Sequence, residues 1–290
     1  MKKTVFFLST LALLGTMACN KFDAPVAVPE EAGSEITLGV LPEGIDMNVD
    51  TKATAVTAVP STLYWGATTG TIGNAAEAKK WAAASASVSS SKIKTGKYQT
   101  ATPTAYNYYV ANQTFTIPAT GASTMTATNT TDVIYGKIGA QTATSVTGIA
   151  LKHIFSRTGT LTGTAVSGST VSNVSWKIVG SSTINGTAGT FNLTTGAWTA
   201  ASTKLSTATT LTSSSDMYLI PGTYTITVTY TISKGDASKT LTRSGNVTLV
   251  MGKKNNISCT LDWGGSEPSE IELGVTLEDW GTNNITLTLG

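Results

Sequence analysis

Tyr224-Thr225-Ile226-Thr227-Val228-Thr229-Tyr230-Thr231-Ile232 decides the fold class. Large apolar side chains stand at every second position, and each residue between them is threonine. A period of two puts the apolar set on one face of an extended strand and the hydroxyls on the other. Threonine is β-branched, and its stiff side chain favours extended backbone. The pattern is general, since 55 of the 290 residues are Thr and 28 are Ser. Runs of the same period recur at 105–110, Phe115-Thr116-Ile117, Val133-Ile134-Tyr135 and 146–155, parted by Gly, Asn, Ser and Pro clusters. Short strands at this spacing are the pattern of β-sandwiches, and the chain is read as all-β. Its length suits two ordinary domains or one large one. The only helical expectation falls on 75–86 around Trp81, where Ala is abundant. Strand density falls between Arg157 and Val171, where Gly159, Gly163 and Gly168 recur, which places a domain boundary near residue 163.

An alternating segment also occurs near each end. Ser34-Glu35-Ile36-Thr37-Leu38-Gly39-Val40 is repeated as Ser269-Glu270-Ile271-Glu272-Leu273-Gly274-Val275, and the copies differ only at Thr37 and Glu272. Ile36, Leu38 and Val40 fall on one face; Ile271, Leu273 and Val275 fall on another, continued by Leu277. Two segments with the same apolar face can occupy the same groove. Pro42 and Gly44 break the first copy, and a further extended run leads from Thr51 to Leu63-Tyr64-Trp65.

The N-terminus carries a compartment signal. Lys2 and Lys3 precede an apolar stretch over 5–14 and small residues around Gly15 and Ala18, the layout of a secretory signal. Ten apolar residues are too few for a spanning helix, which needs roughly 20. Thr16-Met17-Ala18-Cys19 resembles a bacterial lipobox, in which cleavage before Cys precedes acylation of its thiol; Thr16 stands where Leu is usual. Cys19 is therefore the expected lipidation site, and acyl chains add roughly 0.8 kcal/mol of membrane affinity per buried methylene. With Cys19 acylated, Cys259 has no disulfide partner and reads as a buried core thiol.

Composition excludes several functions. Charged residues make up 12% of the chain. Two of the 19 basic residues, Lys2 and Lys3, precede Cys19, which leaves 17 against 17 acidic. A neutral body has no electrostatic footprint for nucleic acid. His153 is the only imidazole, no Gly-x-Ser-x-Gly elbow accompanies it, and a zinc site would need unusual ligands. The Gly-rich segments lack the Lys and the strand-to-helix context of a phosphate loop, and Asp216, Asp236, Asp262 and Asp279 are too scattered for a calcium loop. No catalytic residues, metal or cofactor are expected. The six Trp fit core packing better than a sugar platform. A monomeric surface lipoprotein binding glycan through exposed Trp is the competing reading.

Several further stretches carry a resemblance. Leu151-Lys152-His153-Ile154-Phe155-Ser156-Arg157, Tyr218-Leu219-Ile220-Pro221-Gly222, Met251-Gly252-Lys253-Lys254-Asn255 and Val275-Thr276-Leu277-Glu278-Asp279-Trp280 resemble strand signatures of the Bacteroidetes fimbrillin family, with Asp132-Val133-Ile134-Tyr135, the Thr51-Lys52-Ala53 step and the lipobox as weaker signals. Order and spacing hold from residue 1 to 290. The resemblance implies two tandem β-sandwiches of transthyretin-like topology, with a signal peptide over 1–18, a tether and leader strand over 19–52, and domains over 53–162 and 163–290. It implies an outer-membrane lipoprotein or fimbrium at the cell surface, supporting adhesion. Its partners would be other subunits joined by strand addition, the outer membrane through the lipid, and, for tip subunits, a host or bacterial ligand. In that family a protease removes a leader strand and a neighbour's strand fills the groove. Several relatives are cut after Arg, whereas the step here is Lys52-Ala53 and the first Arg is Arg157. Either a Lys-accepting protease acts, or the subunit keeps its leader as an anchor or accessory subunit. Ile36, Leu38 and Val40 are the expected leader strand. The expected donor is Ile271, Leu273, Val275 and Leu277, or else Ile285, Leu287 and Leu289.

Overall fold

The computed structural model describes residues 34–41, 59–70, 78–99, 102–212, 217–264 and 273–279, with backbone alone at Ala78 and 276–279. Among them are nineteen strands and no helix. The first nine are β1 (Glu35–Leu41), β2 (Thr62–Thr69), β3 (Ala78–Ser89), β4 (Lys92–Tyr98), β5 (Tyr106–Ala111), β6 (Thr124–Thr128), β7 (Ile134–Gln141), β8 (Ser145–Ala150) and β9 (Lys152–His153). The others are β10 (Ser156–Ala165), β11 (Thr170–Gly180), β12 (Gly186–Asn192), β13 (Ala197–Lys204), β14 (Thr209–Leu211), β15 (Tyr218–Leu219), β16 (Gly222–Lys234), β17 (Ala237–Leu249), β18 (Lys253–Leu261) and β19 (Leu273–Asp279).

The opening stretch lies in β16, and its alternation is reproduced in burial. Tyr224, Ile226, Val228, Tyr230 and Ile232 are fully buried. The threonines face outward and meet hydroxyls of β17 at 3.2 Å (Thr223 and Thr248), 2.9 Å (Thr227 and Ser244), 3.0 Å (Thr229 and Thr242) and 3.2 Å (Thr231 and Thr240). Cross-strand hydroxyl pairs of this kind support the sheet, which gives the threonine-rich composition a structural role.

The C-terminal sandwich packs the sheet β14-β11-β16-β17 against β15-β10-β18-β19. Trp176, Ile178 and the apolar face of β16 come from the first; Leu161, Ile257, Cys259, Leu261 and Leu273 from the second. In the N-terminal half one eight-stranded sheet runs β8-β1-β4-β3-β2-β5-β7-β9. It folds over at the β3–β4 contact, where only Val88↔Ile93 and Ser89↔Lys92 pair. Residues from both arms, such as Leu38, Ile93 and Val146 with Leu63, Trp65 and Tyr108, share one core. A three-stranded sheet, β13-β12-β6, joins the halves, because β6 pairs with β12 from Thr124↔Asn192 to Thr128↔Ala188. It encloses a third core with Tyr109, Tyr135, Phe155, Phe191 and Ile220. Strand β5 is consequently buried on both faces.

Two expectations are corrected. Residues 78–89 form strand β3 where a helix over 75–86 was expected. Alanine favours helix by well under 1 kcal/mol per residue, and pairing with β2 from Thr62↔Ser87 to Thr69↔Ala78 outweighs it. A bulge between Ala84↔Trp65 and Trp81↔Ala67 interrupts the alternation and hides the strand period. The expected thinning after Arg157 is also absent, since β10 and β11 fill most of it. Gly159 and Gly163 are not turn residues. The space a Cβ would take is filled by side chains of β18, Asn256 and Lys254 over Gly159 and Leu261 over Gly163.

Candidate functional site

Among the strands of the described residues, β1 stands out. Its residues alternate between half-buried and buried, with Ile36, Leu38 and Val40 at 0% exposure. It lies between β4, antiparallel, through Thr37↔Lys94, Leu38↔Ile93 and Gly39↔Lys92, and β8, parallel, through Thr37↔Ser145, Leu38↔Val146 and Val40↔Ile149. Backbone groups are satisfied on both sides. Thr37 N donates to Thr144 O at 2.7 Å and Val40 N to Ser91 O at 2.9 Å, while Leu41 O accepts from Leu151 N at 2.8 Å. The Thr95 hydroxyl donates to Ile36 O at 2.7 Å, and Gly96 N donates to Glu35 Oε1 at 3.0 Å.

This strand contributes a defined share of the N-terminal core. Burying three such side chains is worth roughly 5–9 kcal/mol as an upper bound. Removing β1 would uncover Ile93, Val146 and Ile149 and leave the facing edges of β4 and β8 with unpaired N–H and C=O groups. Such an edge pair is a template for another strand.

The C-terminal copy of the repeat sits differently. Among the described residues β19 lies at a sheet edge, pairing with β18 from Lys253↔Asp279 to Cys259↔Leu273. Leu273 is buried in the C-terminal core, Val275 packs against it, and Leu277 pairs with Asn255 through its backbone. Ile271, Ile285, Leu287 and Leu289 lie outside the described residues, as do Cys19, Lys52 and Ala53.

The remaining singled-out residues are structural. His153 is buried, with Nδ1 2.8 Å from Asp132 Oδ1. Burial pushes the Cys259 thiol up to about 12, so at neutral pH it is a protonated apolar group. Among the described Trp none is exposed: Trp65 and Trp176 are buried, and Trp81, Trp198 and Trp263 pack half-buried against the three cores. Among the described residues no three His, Cys, Asp or Glu gather as a metal site. The quoted signatures have visible reasons. Ile154 and Phe155 enter the third core. Ile220 O accepts from the buried Tyr224 hydroxyl at 2.6 Å, while Ile220 N donates to Gly186 O at 2.9 Å. Fully buried Asn255 donates to Arg157 O at 3.0 Å and accepts from Val250 N at 3.1 Å. Thr95 and the shape of β8, both shaping the slot of β1, had no sequence signal of their own.

A family model described as fimbrillin-like matches residues 55–280, a span that holds β19 and leaves out β1. No curated protein matches the chain. Among solved structures, a fimbrial protein from Bacteroides vulgatus is similar with a TM-score of 0.56 at 13% identity, covering 85% of this chain and 99% of that one. A fimbrilin from Porphyromonas gingivalis is similar with a TM-score of 0.50 at 10% identity, covering 84% and 96%. At these identities the likeness is one of fold.

Proposed function

The chain belongs to the fimbrillin-like family, and from that premise we propose that it is a structural subunit of a cell-surface fimbria, assembled by strand addition. The observation that carries this reading is the position of β1: a seven-residue strand hydrogen-bonded on both sides, which fills the core between β4 and β8. In the proposed sequence of events the precursor is exported through its 1–18 signal and held at the outer membrane by a lipid on Cys19. Cleavage between Lys52 and Ala53 severs β1 from the body. The vacated slot then accepts a strand from a neighbouring subunit. Because Leu273 and Val275 already serve their own sandwich, the donated strand is the segment that carries Ile285, Leu287 and Leu289. Adhesion is the role of the assembled fibre.

Lys52 favours a second reading beside the first. With no Arg before Arg157, an Arg-specific protease has no target in the leader, and a subunit that keeps β1 would anchor or terminate a fibre. The glycan-binding alternative loses its main support, because no described Trp is solvent-exposed.

Lys52→Ala separates the two. A processed subunit should lose its polymer ladders on denaturant-resistant electrophoresis, keep its melting temperature, and shift its surface N-terminus from Ala53 to a blocked Cys19. Unchanged ladders with Ala53 still first would place cleavage under other control and remove this site from assembly. Cys19→Ala should release the protein from the detergent phase into the aqueous phase; unaltered partitioning would defeat the lipid anchor.

A further inference from the structure

β8 does not run evenly beside β1. Leu38 faces Val146 and Val40 faces Ile149, so a two-residue step of β1 is matched by a three-residue step of β8. Gly148, with φ at +81°, takes up the extra residue as a bulge. Gly39 lies against this bulge. A Cβ on Gly39 would sit 3.2 Å from Val146 O, a tight contact with a backbone atom, so the bulge itself rather than a side chain would have to give by a few tenths of an ångström; Thr147 Cα, at 3.4 Å, is at ordinary contact distance. Gly39 is not among the residues with positive φ; close approach, rather than backbone conformation, sets its identity.

We infer that the β8 bulge is a register key: a strand taking the slot of β1 seats best when it presents glycine opposite Val146-Thr147-Gly148, with apolar residues one and three positions before it. This rests on the strand-addition reading and specifies the partner, namely residues 287–290 of a second copy of this chain. Leu287-Thr288-Leu289-Gly290 reproduces Ile36-Thr37-Leu38-Gly39 with three of four residues identical. In this register Leu287 and Leu289 take the places of Ile36 and Leu38, and Gly290 meets the bulge. Sliding the strand by two residues would seat Ile285, Leu287 and Leu289 in the three apolar positions but bring the branched Cβ of Thr288 into the tight contact with Val146 O that Gly39 avoids. Ile271-Glu272-Leu273-Gly274-Val275 also satisfies the key, but Leu273 and Val275 are held by their own core. The slot therefore distinguishes two registers of the C-terminal segment by sterics at one position, while the hold of its own core sets Ile271–Val275 aside.

The test uses the full chain with a rare-cutting protease site introduced between 48 and 54 and cleaved after folding, so that β1 stays seated as a separate piece. Fluorescent, amidated peptides of residues 34–41 and 283–290 are added in excess, and label co-eluting with the protein is measured. Both should be taken up. The Gly39→Ala and Gly290→Ala peptides should be taken up at least about tenfold less, while Thr288→Val, which faces away from the core, should match the parent peptide. Equal uptake of the alanine peptides would overturn the register key and leave strand addition standing. Uptake of 34–41 without 283–290 would overturn the identity of the partner. Failure of both parent peptides would overturn strand addition and this inference with it.

Discussion

Leu38→Asp in the intact precursor should collapse the N-terminal sandwich. Leu38 is at 0% exposure in the middle of β1, flanked by Ile93 on β4 and Val146 on β8. Truncation to Ala at such a site costs about 2–5 kcal/mol through lost transfer energy and the cavity left behind. Aspartate adds the desolvation of a carboxylate, since Leu38 shares its core with apolar side chains such as Ile93, Val146 and Leu63. A loss of roughly 4 kcal/mol or more approaches the whole stability of a typical domain, about 5–15 kcal/mol. Hydrogen exchange on the full chain is the discriminating measurement. Amides of β4 and β8 should lose protection by several orders of magnitude, while those of β16 and β17, in a separate core, keep most of theirs. Retained protection in β4 and β8 would mean that β1 does not fill the slot in solution.

The parts of this fold legible in the sequence are those where one face is buried and one is not. β16 and β1 show the period of two without interruption, because each has a core on one side and polar neighbours on the other. Legibility fails where that asymmetry fails. Strand β5 is buried on both faces, with Tyr106, Tyr108 and Val110 in the N-terminal core and Tyr109 and Ala111 in the third; its continuous apolar run shows a strand but not that two cores meet across it. Strand β3 carries a bulge that shifts the phase at Ala84, and its alanines read as helix. Gly159 and Gly163 read as loop because sequence shows a missing side chain without the neighbouring side chains that fill its place. The β6–β12 pairing is a contact over about sixty residues of chain, set by no local signal. For the candidate site the repeat pointed to β1, while the different placements of its two copies, one internal and one at an edge, depend on which strands flank them.

That difference predicts opposite behaviour for two aspartate substitutions near the C-terminus. Leu273→Asp should lower thermal stability by several kcal/mol, since Leu273 is buried beside Cys259 and Ile257 in the C-terminal core; ladders should then be lost as a consequence of unfolding. Leu287→Asp should leave the melting temperature within about 1–2 °C of the parent, because a donor segment serves the neighbour's core rather than its own. It should nevertheless abolish the ladders, as the charge would have to enter the site of an apolar residue buried in the acceptor. The free energy at stake has two parts. Each apolar side chain of the donor contributes roughly 1.5–3 kcal/mol on burial, and the backbone pairs both edges of the slot that β1 vacates. Losing one anchor and placing an unpaired charge there reverses the balance for the whole strand, because the backbone cannot pair with β4 and β8 unless the side chains seat between them. Mixing settles which partner is at fault: Leu287→Asp subunits should still accept a strand from the parent protein and cap its polymers at one end, shortening the ladders in proportion to the amount added. Parent-length ladders at equal mixing, or Leu287→Asp subunits that polymerise alone, would move the donor elsewhere in the chain.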